Sequence, residues 1–516
     1  MILGAGIMQV PAIRIAKEEG WTVICADGNK EAPAVGDVDR FLHIDLKDLS
    51  GLEDAAREIK DKEGLNGVFT AGTDFSASVA WIAERLGLPG ISYQTALNAT
   101  DKIRMRSCFK NHGVSSPDFV ELSGEMDFER EVASLNFPLV VKPVDSMGAR
   151  GVIRIDDLSQ LEGAVDNAIS HSRTDRAIVE EFISGEEYSV DALVNKGDIT
   201  IYGLAIRHIF FPPCFIEMGH TMPADLDTEK QKEIENEFKK GIEALGIDNG
   251  AAKGDIIYSG TGPVIGEIAA RLSGGYMSGW TFPKASMIES TKGAMYIAMG
   301  LNPQPYDGTY ENTAAERAFL SIPGKAKSIE NIEEAYSTEF VHDLFLRVEE
   351  GDNVEFPMNN VEKCGNIISV HKIRNKAVES AETACAKVLI RLDEKDNRTG
   401  EFLYHGGSWP PDAFALNNSY NISTYEELIS SVDFTYENVQ FPDYKPVRLP
   451  DIRYETACDW QGRKLIDVFE RILEITGMEE SDHIADLKAE AFFWRSIIKG
   501  SIQGGLWFFD RFCCKP

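Results

Sequence analysis

The chain has 516 residues, enough for roughly three or four domains, and the composition of an ordinary globular protein. Its formal net charge of -31 argues against a nucleic-acid partner, because binding to phosphate backbones requires clustered lysine and arginine. The eight cysteines show no metal-like spacing, and no apolar run reaches the roughly 18 residues that a membrane span needs. We therefore expect a cytoplasmic protein with reduced thiols and no membrane contact.

Residues 1–94 contain four short apolar runs that alternate with helix-like stretches. This rhythm predicts a Rossmann-like parallel α/β sheet. Its first turn contains Gly4 and Gly6, but Gln9 replaces the third glycine of the dinucleotide fingerprint. Asp27 lies at the end of the second predicted strand, where a ribose ligand is expected. A Rossmann-like scaffold without a bound dinucleotide is favoured over a dinucleotide site.

The next region begins with a basic helical pattern from Gln94 to His112, which Gly113 closes. PLVVKPV and GVIRID then predict two antiparallel strands, joined by a small-residue loop whose backbone amides could cover phosphates. Lys142 lies inside the first of these strands, where a lysine is expensive to bury without an anionic partner. A strand, a turn and a strand follow in RAIVEEFISGEEYSVDALV, and residues 228–246 predict an amphipathic helix.

Residues 250–275 predict a β-hairpin that carries two acidic side chains. If the hairpin is centred near Thr261, Asp255 and Glu267 lie opposite each other with their Cβ atoms roughly 5 Å apart. A hard divalent cation such as Mg²⁺ or Mn²⁺ would relieve their repulsion, especially where phosphates complete its coordination shell. Because strand side chains alternate, Arg271 shares their face. The hairpin therefore predicts a metal and phosphate site with an arginine at its edge.

The C-terminal part shows weaker patterns. Residues 311–400 predict an α+β region with a helix around 376–386, followed by the strand-like KVLIRLD. Residues 401–516 hold two late helical patterns, LIDVFERILEITG and LKAEAFFWRSIIKG.

The order of four features resembles the ATP-grasp superfamily of carboxylate-amine ligases. These features are the DK pair at Asp101, the KP pair with its glycine loop, VEEFISGEEYSV and the acidic hairpin with its arginine. The resemblance implies an α/β and α+β fold: a Rossmann-like domain over 1–94, a two-lobed ATP-grasp domain over 95–310 with its glycine-loop lobe at about 115–185, a C-terminal subdomain over 311–400, and an additional region over 401–516.

The resemblance also implies roles for individual residues. Lys102 and Lys142 match lysines that contact the phosphates of ATP, and Asp255 and Glu267 match the magnesium carboxylates. Arg271, with Lys142, matches a catalytic cation facing the reacting group. The remaining ATP-binding matches lie in the glycine loop, the adenine segment between the lobes and the ribose position: Ser146, Met147, Gly148, Gly151, Glu180, Glu181, Phe182 and Glu187.

One position departs from the family pattern. Where many members have an asparagine two residues after the second metal carboxylate, this chain has Ala269. The proposed register places Lys253 opposite Ala269, where its ammonium either compensates for the missing amide or faces solvent.

In this family ATP phosphorylates a carboxylate, and an amine captures the resulting acyl phosphate with release of phosphate. The resemblance thus implies a ligase with ATP and Mg²⁺ that joins a small-molecule carboxylate to an amine, the substrates lying near Glu217, His220, Gly274 and Gly275. Family members are commonly dimers, so a homodimer is one possible assembly. A biotin-carboxylase-like enzyme, a phosphoribosylglycinamide-synthetase-like enzyme and a non-catalytic nucleotide-binding regulator are the alternatives.

Overall fold

The computed structural model describes residues 1–124, 126–306, 309–404, 463–478 and 491–513. The chain divides into two compact units. The first contains Met1–Ile209, Glu217–Glu316 and Ile368–Ala381, and the second contains Phe210–Ile216, Arg317–Ile367 and Glu382–Pro516.

The described strands, numbered in chain order, are β1 Ile2–Leu3, β2 Ile24–Asp27, β3 Arg40–His43, β4 Phe119–Ser123, β5 Leu139–Pro143, β6 Ile153–Ile155, β7 Arg176–Glu181, β8 Glu186–Asn195, β9 Asp198–Phe210, β10 Ile216–Met222, β11 Asn249–Ser259, β12 Gly262–Ala269, β13 Thr313–Phe319, β14 Gly324–Glu330, β15 Val341–Leu346, β16 Asn353–Val354, β17 Gly365–His371 and β18 Leu389–Leu392.

The described α-helices are α1 Val10–Glu18, α2 Leu49–Lys62, α3 Ser76–Leu86, α4 Tyr93–Asn98, α5 Lys102–His112, α6 Phe128–Val132, α7 Leu161–Ser170, α8 Thr228–Leu245, α9 Phe282–Ser286, α10 Ser290–Ala298, α11 Ile332–Tyr336, α12 Arg374–Lys387, α13 Asn397–Tyr404, α14 Leu465–Thr476 and α15 Ala491–Phe508. None of the described helices is both long and apolar enough to cross a membrane.

The N-terminal sheet is parallel, as the sequence predicted, with strand order β1-β2-β3. Of the fourth predicted strand, only a parallel bridge from Phe69 to Ile2 is found. In the first turn, Gln9 accepts a hydrogen bond from the Gly6 N–H (3.0 Å), and a Cβ added to Gly4 would lie 2.9 Å from Gln9. Asp27 accepts a hydrogen bond from the Ala5 N–H (2.7 Å), so side chains of this chain fill the turn.

Two antiparallel sheets form the centre of the first unit. One has the order β4-β7-β5-β6, and the other contains the consecutive strands β12-β11-β8-β9-β10. The neighbouring strands β7 and β8 belong to different sheets, so the short turn between them connects the two lobes. Helix α7 packs on the first sheet through residues such as Val165, and helix α8 packs on one face of the second through Phe238. The opposite face of the second sheet carries most of the candidate site.

The predicted helix over Gln94–His112 is wrong as one continuous element. It is two helices, α4 and α5, because the Asp101 carboxylate caps α5 by accepting a hydrogen bond from the Arg104 N–H (3.0 Å). Gly113 ends α5 in the left-handed region at φ 67°, a conformation that glycine adopts without strain. The predicted helix over 228–246 is confirmed as α8.

In the second unit, β14 pairs with both β16 and β18. The predicted helix around 376–386 and the predicted strand after it are found as α12 and β18. The two late helical patterns correspond to α14 and α15, and residues 487–490 of the second pattern lie outside the described residues.

Candidate active site

The hairpin of β11 and β12 has the predicted register. Asp255 pairs with Glu267, and Lys253 pairs with Ala269. A β-bulge follows Asp255, and the Arg106 guanidinium donates a hydrogen bond to the carbonyl of Gly266 at this bulge (2.6 Å). The two carboxylates therefore lie on one face of neighbouring strands, where an irregularity held by a buried arginine fixes their position.

Arg207, on β9, is a residue at this site that the sequence interpretation missed. Its guanidinium lies 3.3 Å from Glu187, 3.1 Å from Glu217 and 2.8 Å from Asp255. The Arg207 guanidinium thus contacts residues with three different predicted roles. They are the predicted ribose-binding acid Glu187, the predicted substrate residue Glu217 and the predicted metal ligand Asp255. The signal was present in the sequence, since Arg207 interrupts an apolar strand in the same way as Lys142.

The arginine and the three carboxylates perturb one another's pKa values. Burial raises the pKa of Glu187, and the neighbouring Asp255 and Glu217 carboxylates raise it further against the opposing effect of Arg207. Burial also acts to raise the pKa of Asp255, but the charges of Arg207 and Lys253 outweigh it and lower that pKa. Asp255 is therefore ionised at neutral pH, the state in which a carboxylate binds a cation.

Lys253 does not face solvent: its ammonium forms an ion pair with Asp255, and its side chain is 15% exposed. Among the described residues, Glu267 forms no ion pair, and no group of three or more His, Cys, Asp or Glu side chains is arranged to hold a metal ion. Two carboxylates with hard oxygen donors fit a divalent cation that takes its other ligands from phosphates and water, rather than one held by the protein alone.

Lys142 has the anionic partner that its position in an apolar strand requires. Its ammonium lies 2.7 Å from Glu180, and Glu180 also lies 2.8 Å from Arg106, which is fully buried. Burial acts to raise the pKa of Glu180, but the two cations outweigh it and lower that pKa to about 2. The Lys142 side chain remains 20% exposed, and its ammonium has three N–H donors, so donors remain for a ligand.

The structure brings Lys102, the glycine loop and Arg271 together. The buried Lys102 ammonium donates a hydrogen bond to the carbonyl of Ser146 (2.7 Å), and the Arg271 guanidinium contacts the sulfur of Met147 (3.8 Å). Gly148 and Gly151 have φ values of 71° and 68°, which favour glycine at both positions. These contacts place the loop against the arginine that follows the acidic hairpin.

The segment between the lobes has its backbone N–H groups engaged at Glu181 and Phe182, two of the three positions predicted to contact adenine. The Glu181 N–H donates to the carbonyl of Asp118 (3.1 Å), and the Phe182 N–H donates to the carbonyl of Pro138 (2.9 Å). The Arg154 guanidinium lies 4.6 Å from the centre of the Phe182 ring. An adenine contact at this segment stays a prediction.

The predicted substrate residues separate in space. Glu217 belongs to the Arg207 cluster, whereas His220 is 1% exposed and lies between Glu316 (3.2 Å) and Thr281 (2.9 Å). Three residues apart on one strand, the two side chains point to opposite faces. Gly274 lies against Gly72, and Gly275 adopts φ 59°. Substrate contacts at these positions stay predictions.

Asp191 is a second buried residue that the sequence interpretation missed. It lies on β8 opposite Lys253, is fully buried, and accepts a hydrogen bond from the Ser273 N–H (3.2 Å) in the turn after Arg271. Burial raises its pKa to about 6, against the opposing effects of Ser273, Lys253 and Arg271. Asp191 therefore anchors that turn to the floor of the site.

Replacing Arg207 with lysine is expected to lower the free energy of unfolding by about 1–2 kcal/mol, because one ammonium cannot reproduce the planar fork that reaches three carboxylates. Because burial and the neighbouring carboxylates raise the pKa of Glu187, the loss should become smaller as the pH falls and that carboxyl group takes up a proton. Urea unfolding across a series of pH values measures it. Arg154→Lys is the matched control, because it makes the same substitution at an arginine that pairs with the exposed Asp156. Equal losses of unfolding free energy in the two variants would contradict a stabilising role for the contacts of Arg207 with the three carboxylates.

Comparisons with known proteins agree with this geometry. A family model for the ATP-grasp domain matches residues 135–279. The chain contains an ATP-grasp domain. A second model, for the L-amino acid ligase C-terminal domain 2, matches residues 318–393. The ATP-grasp match covers the glycine loop, the segment between the lobes, the acidic hairpin and Arg271.

Similar proteins are named as ligases. Alanine–anticapsin ligase of Bacillus subtilis (strain 168) is 30% identical over 238 residues, which are 42% of this chain and 50% of that protein. The chain thus spans about half the length of that relative. The crystal structure of L-amino acid ligase from Bacillus licheniformis has a TM-score of 0.69 at 23% identity, covering 76% of this chain and 98% of that one. The phosphoribosylglycinamide synthetase of Anaerococcus prevotii has a TM-score of 0.60 at 22% identity, covering 76% and 98%. These two structures show the fold that this chain shares with them.

Proposed function

We propose that the protein is an ATP-dependent ligase that joins the carboxylate of an amino acid to an amine, with a second amino acid as the favoured amine, and releases ADP and phosphate. The observation that carries the proposal is the convergence of the glycine loop and Arg271 beside the Asp255–Glu267 pair. The match to the L-amino acid ligase C-terminal domain 2 and the names of the relatives favour amino acids over bicarbonate or a ribosyl-phosphate amine.

The first half-reaction transfers the γ-phosphoryl group of ATP to the substrate carboxylate. Lys102 and Lys142 bind phosphate oxygens, and Glu187 holds the ribose hydroxyls. Asp255 and Glu267 would hold Mg²⁺, which would supply charge neutralisation for the transferred phosphoryl group. Because no covalent nucleophile is needed, the protein acts through position and charge.

Arg271 stabilises the acyl phosphate until the amine attacks. Its Nη1 donates to the carbonyl of Leu272 (2.8 Å), and its buried Nε has no hydrogen-bond partner among the described residues. An unpaired N–H in a buried site is available to an oxygen of the substrate. The glycine loop in contact with Arg271 through Met147 excludes water from the hydrolysable intermediate.

The test is Mg²⁺-dependent release of ADP and phosphate from ATP, screened against pools of amino acids, small carboxylates, bicarbonate and amines, with product detection by mass spectrometry. Stimulation by an amino-acid pool, with a new amide product that Glu267→Gln does not form, is the expected result. Stimulation by bicarbonate alone would favour the carboxylase-like alternative. ATP binding without stimulation by any pool would favour the non-catalytic regulator.

A further inference from the structure

The glycine loop is fastened within its own lobe by several contacts. The hydroxyl of Ser146 donates to the carbonyl of His171 (2.5 Å), and the Arg150 Nε donates to the carbonyl of Met147 (2.9 Å). The Asp145 carboxylate, at the start of the loop, accepts a hydrogen bond from the Arg173 N–H (2.9 Å). The loop and the segment around Arg173 therefore form one folded surface.

Asp74, in the N-terminal Rossmann-like domain, holds that surface from outside the lobe. One of its carboxylate oxygens lies 2.9 Å from Nη2 of Arg150 and 3.2 Å from Nη2 of Arg173. The Asp74 side chain is 14% exposed, whereas the side chains of Arg150 and Arg173 are 40% and 36% exposed, so solvent screens the two pairs in part. The Arg173 guanidinium also lies 5.8 Å from the centre of the Phe75 ring. Two consecutive residues of the N-terminal domain thus contact both arginines of the loop surface.

The segment that carries Asp74 also reaches the turn after Arg271. A Cβ added to Gly72 would lie 3.2 Å from the Cα of Gly274, so the two backbones are in close contact. The segment itself is anchored in the N-terminal domain, because Gln9 donates to the carbonyl of Ala71 (2.5 Å) and Thr70 donates to the carbonyl of Leu3 (2.7 Å). Residues 72–75 therefore touch the glycine loop on one side and the turn after Arg271 on the other.

We propose that Asp74 is a positioning residue that closes the glycine loop over the site by binding Arg150 and Arg173, and so couples loop closure to the turn after Arg271. The contacts that fasten the loop within its own lobe would move with it if the lobe opened. The Asp74 contacts, by contrast, bridge two domains and would break. The role in ligation rests on the proposed function, whereas the closure itself does not.

Hydrogen–deuterium exchange on the full chain tests the closure without any substrate. Asp74→Asn keeps the shape of the side chain but removes the charge, and Arg150→Gln removes the partner. Each should speed exchange in residues 145–152 by about tenfold, the change expected for loss of a charge-assisted contact, while α7 is unchanged. Asp156→Asn, which breaks an exposed pair with Arg154, is the matched control. Unchanged exchange in Asp74→Asn would overturn the proposal, because Arg150→Gln also removes the Arg150–Met147 hydrogen bond within the loop.

The ratio of ADP to amide product tests the role in ligation. A loop that opens more often admits water to the acyl phosphate, so Asp74→Asn should raise the ratio above the wild-type value. Asp74→Glu keeps the negative charge, so its ratio of ADP to amide should lie closer to the wild-type ratio than that of Asp74→Asn. Faster exchange with an unchanged ratio would overturn the coupling. If the wild-type chain forms no amide with any pool, the proposed function fails, while the exchange result still decides whether Asp74 closes the loop.

Discussion

Replacing Glu180 with glutamine is expected to lower the free energy of unfolding by about 3–5 kcal/mol, the largest stability effect that we predict. The carboxylate is 1% exposed and lies between the fully buried Arg106 and the partly buried Lys142. Glutamine fits the space but leaves the Arg106 guanidinium buried without a counter-charge. The same guanidinium donates to Gly266 at the hairpin bulge, so the damage should extend to the acidic hairpin. Urea unfolding at pH 7 measures the loss.

The pH dependence of stability provides a second readout for Glu180. Its folded pKa is about 2, below the ordinary value of 4.5. A carboxyl group with a lowered pKa stabilises the fold above its unfolded pKa, and this contribution is lost as pH falls from about 4.5 toward 2. The difference corresponds to about 3 kcal/mol. The wild type should therefore lose stability more steeply than Glu180→Gln over that window.

Glu121→Gln is the matched control for this experiment. Glu121 lies in the same antiparallel sheet and pairs with Arg176 at 3.1 Å, but its side chain is 38% exposed. Removing an exposed pair should change stability by less than about 1 kcal/mol. A loss in Glu180→Gln no larger than in this control would show that the buried ions contribute little to stability.

Local patterns were sufficient to predict the hairpin and its register. Alternation of side chains and a glycine turn placed Asp255 opposite Glu267 and Lys253 opposite Ala269, as the structure has them. Short-range periodicity likewise predicted α8, because Asp227 begins the helix and Gly246 ends it within a single continuous pattern. Where two local signals competed, the prediction failed. The basic helical pattern continued through Asp101, but the capping bond of Asp101 starts a new helix there.

Contacts between strands distant in sequence could not be predicted in this way. Arg207 meets Glu187, Glu217 and Asp255 only because β9 pairs with β8, β8 pairs with β11 and β10 joins the same sheet. Nothing within any one of these segments specifies its neighbour. A charged residue in an apolar strand indicates that it has a partner of opposite charge or a hydrogen-bond partner, as with Lys142, Arg207 and Asp191. Which residue is that partner depends on the register of the whole sheet.

Replacing Glu267 with glutamine is expected to lower kcat for amide formation by about 10³-fold or more, because one of the two proposed metal carboxylates loses its charge. Glu267 is half-buried and forms no ion pair among the described residues. Glu267→Gln should therefore shift the urea midpoint of unfolding no more than the control variant Glu243→Gln does. The KM for MgATP should rise, since Mg²⁺ enters with the nucleotide. Steady-state kinetics across a range of Mg²⁺ and Mn²⁺ concentrations measures both effects.

Glu243→Gln, on the exposed face of α8, makes the same chemical change away from the site and should keep wild-type activity. Glu267→Asp keeps the charge but shortens the reach, so partial activity that higher metal concentrations restore is the expected result. Because Ala269 cannot supply an amide oxygen, the chain depends on Glu267 more strongly than a homologue with asparagine at that position would. Full activity in Glu267→Gln would therefore exclude the hairpin as the metal site, and with it the assignment of Asp255.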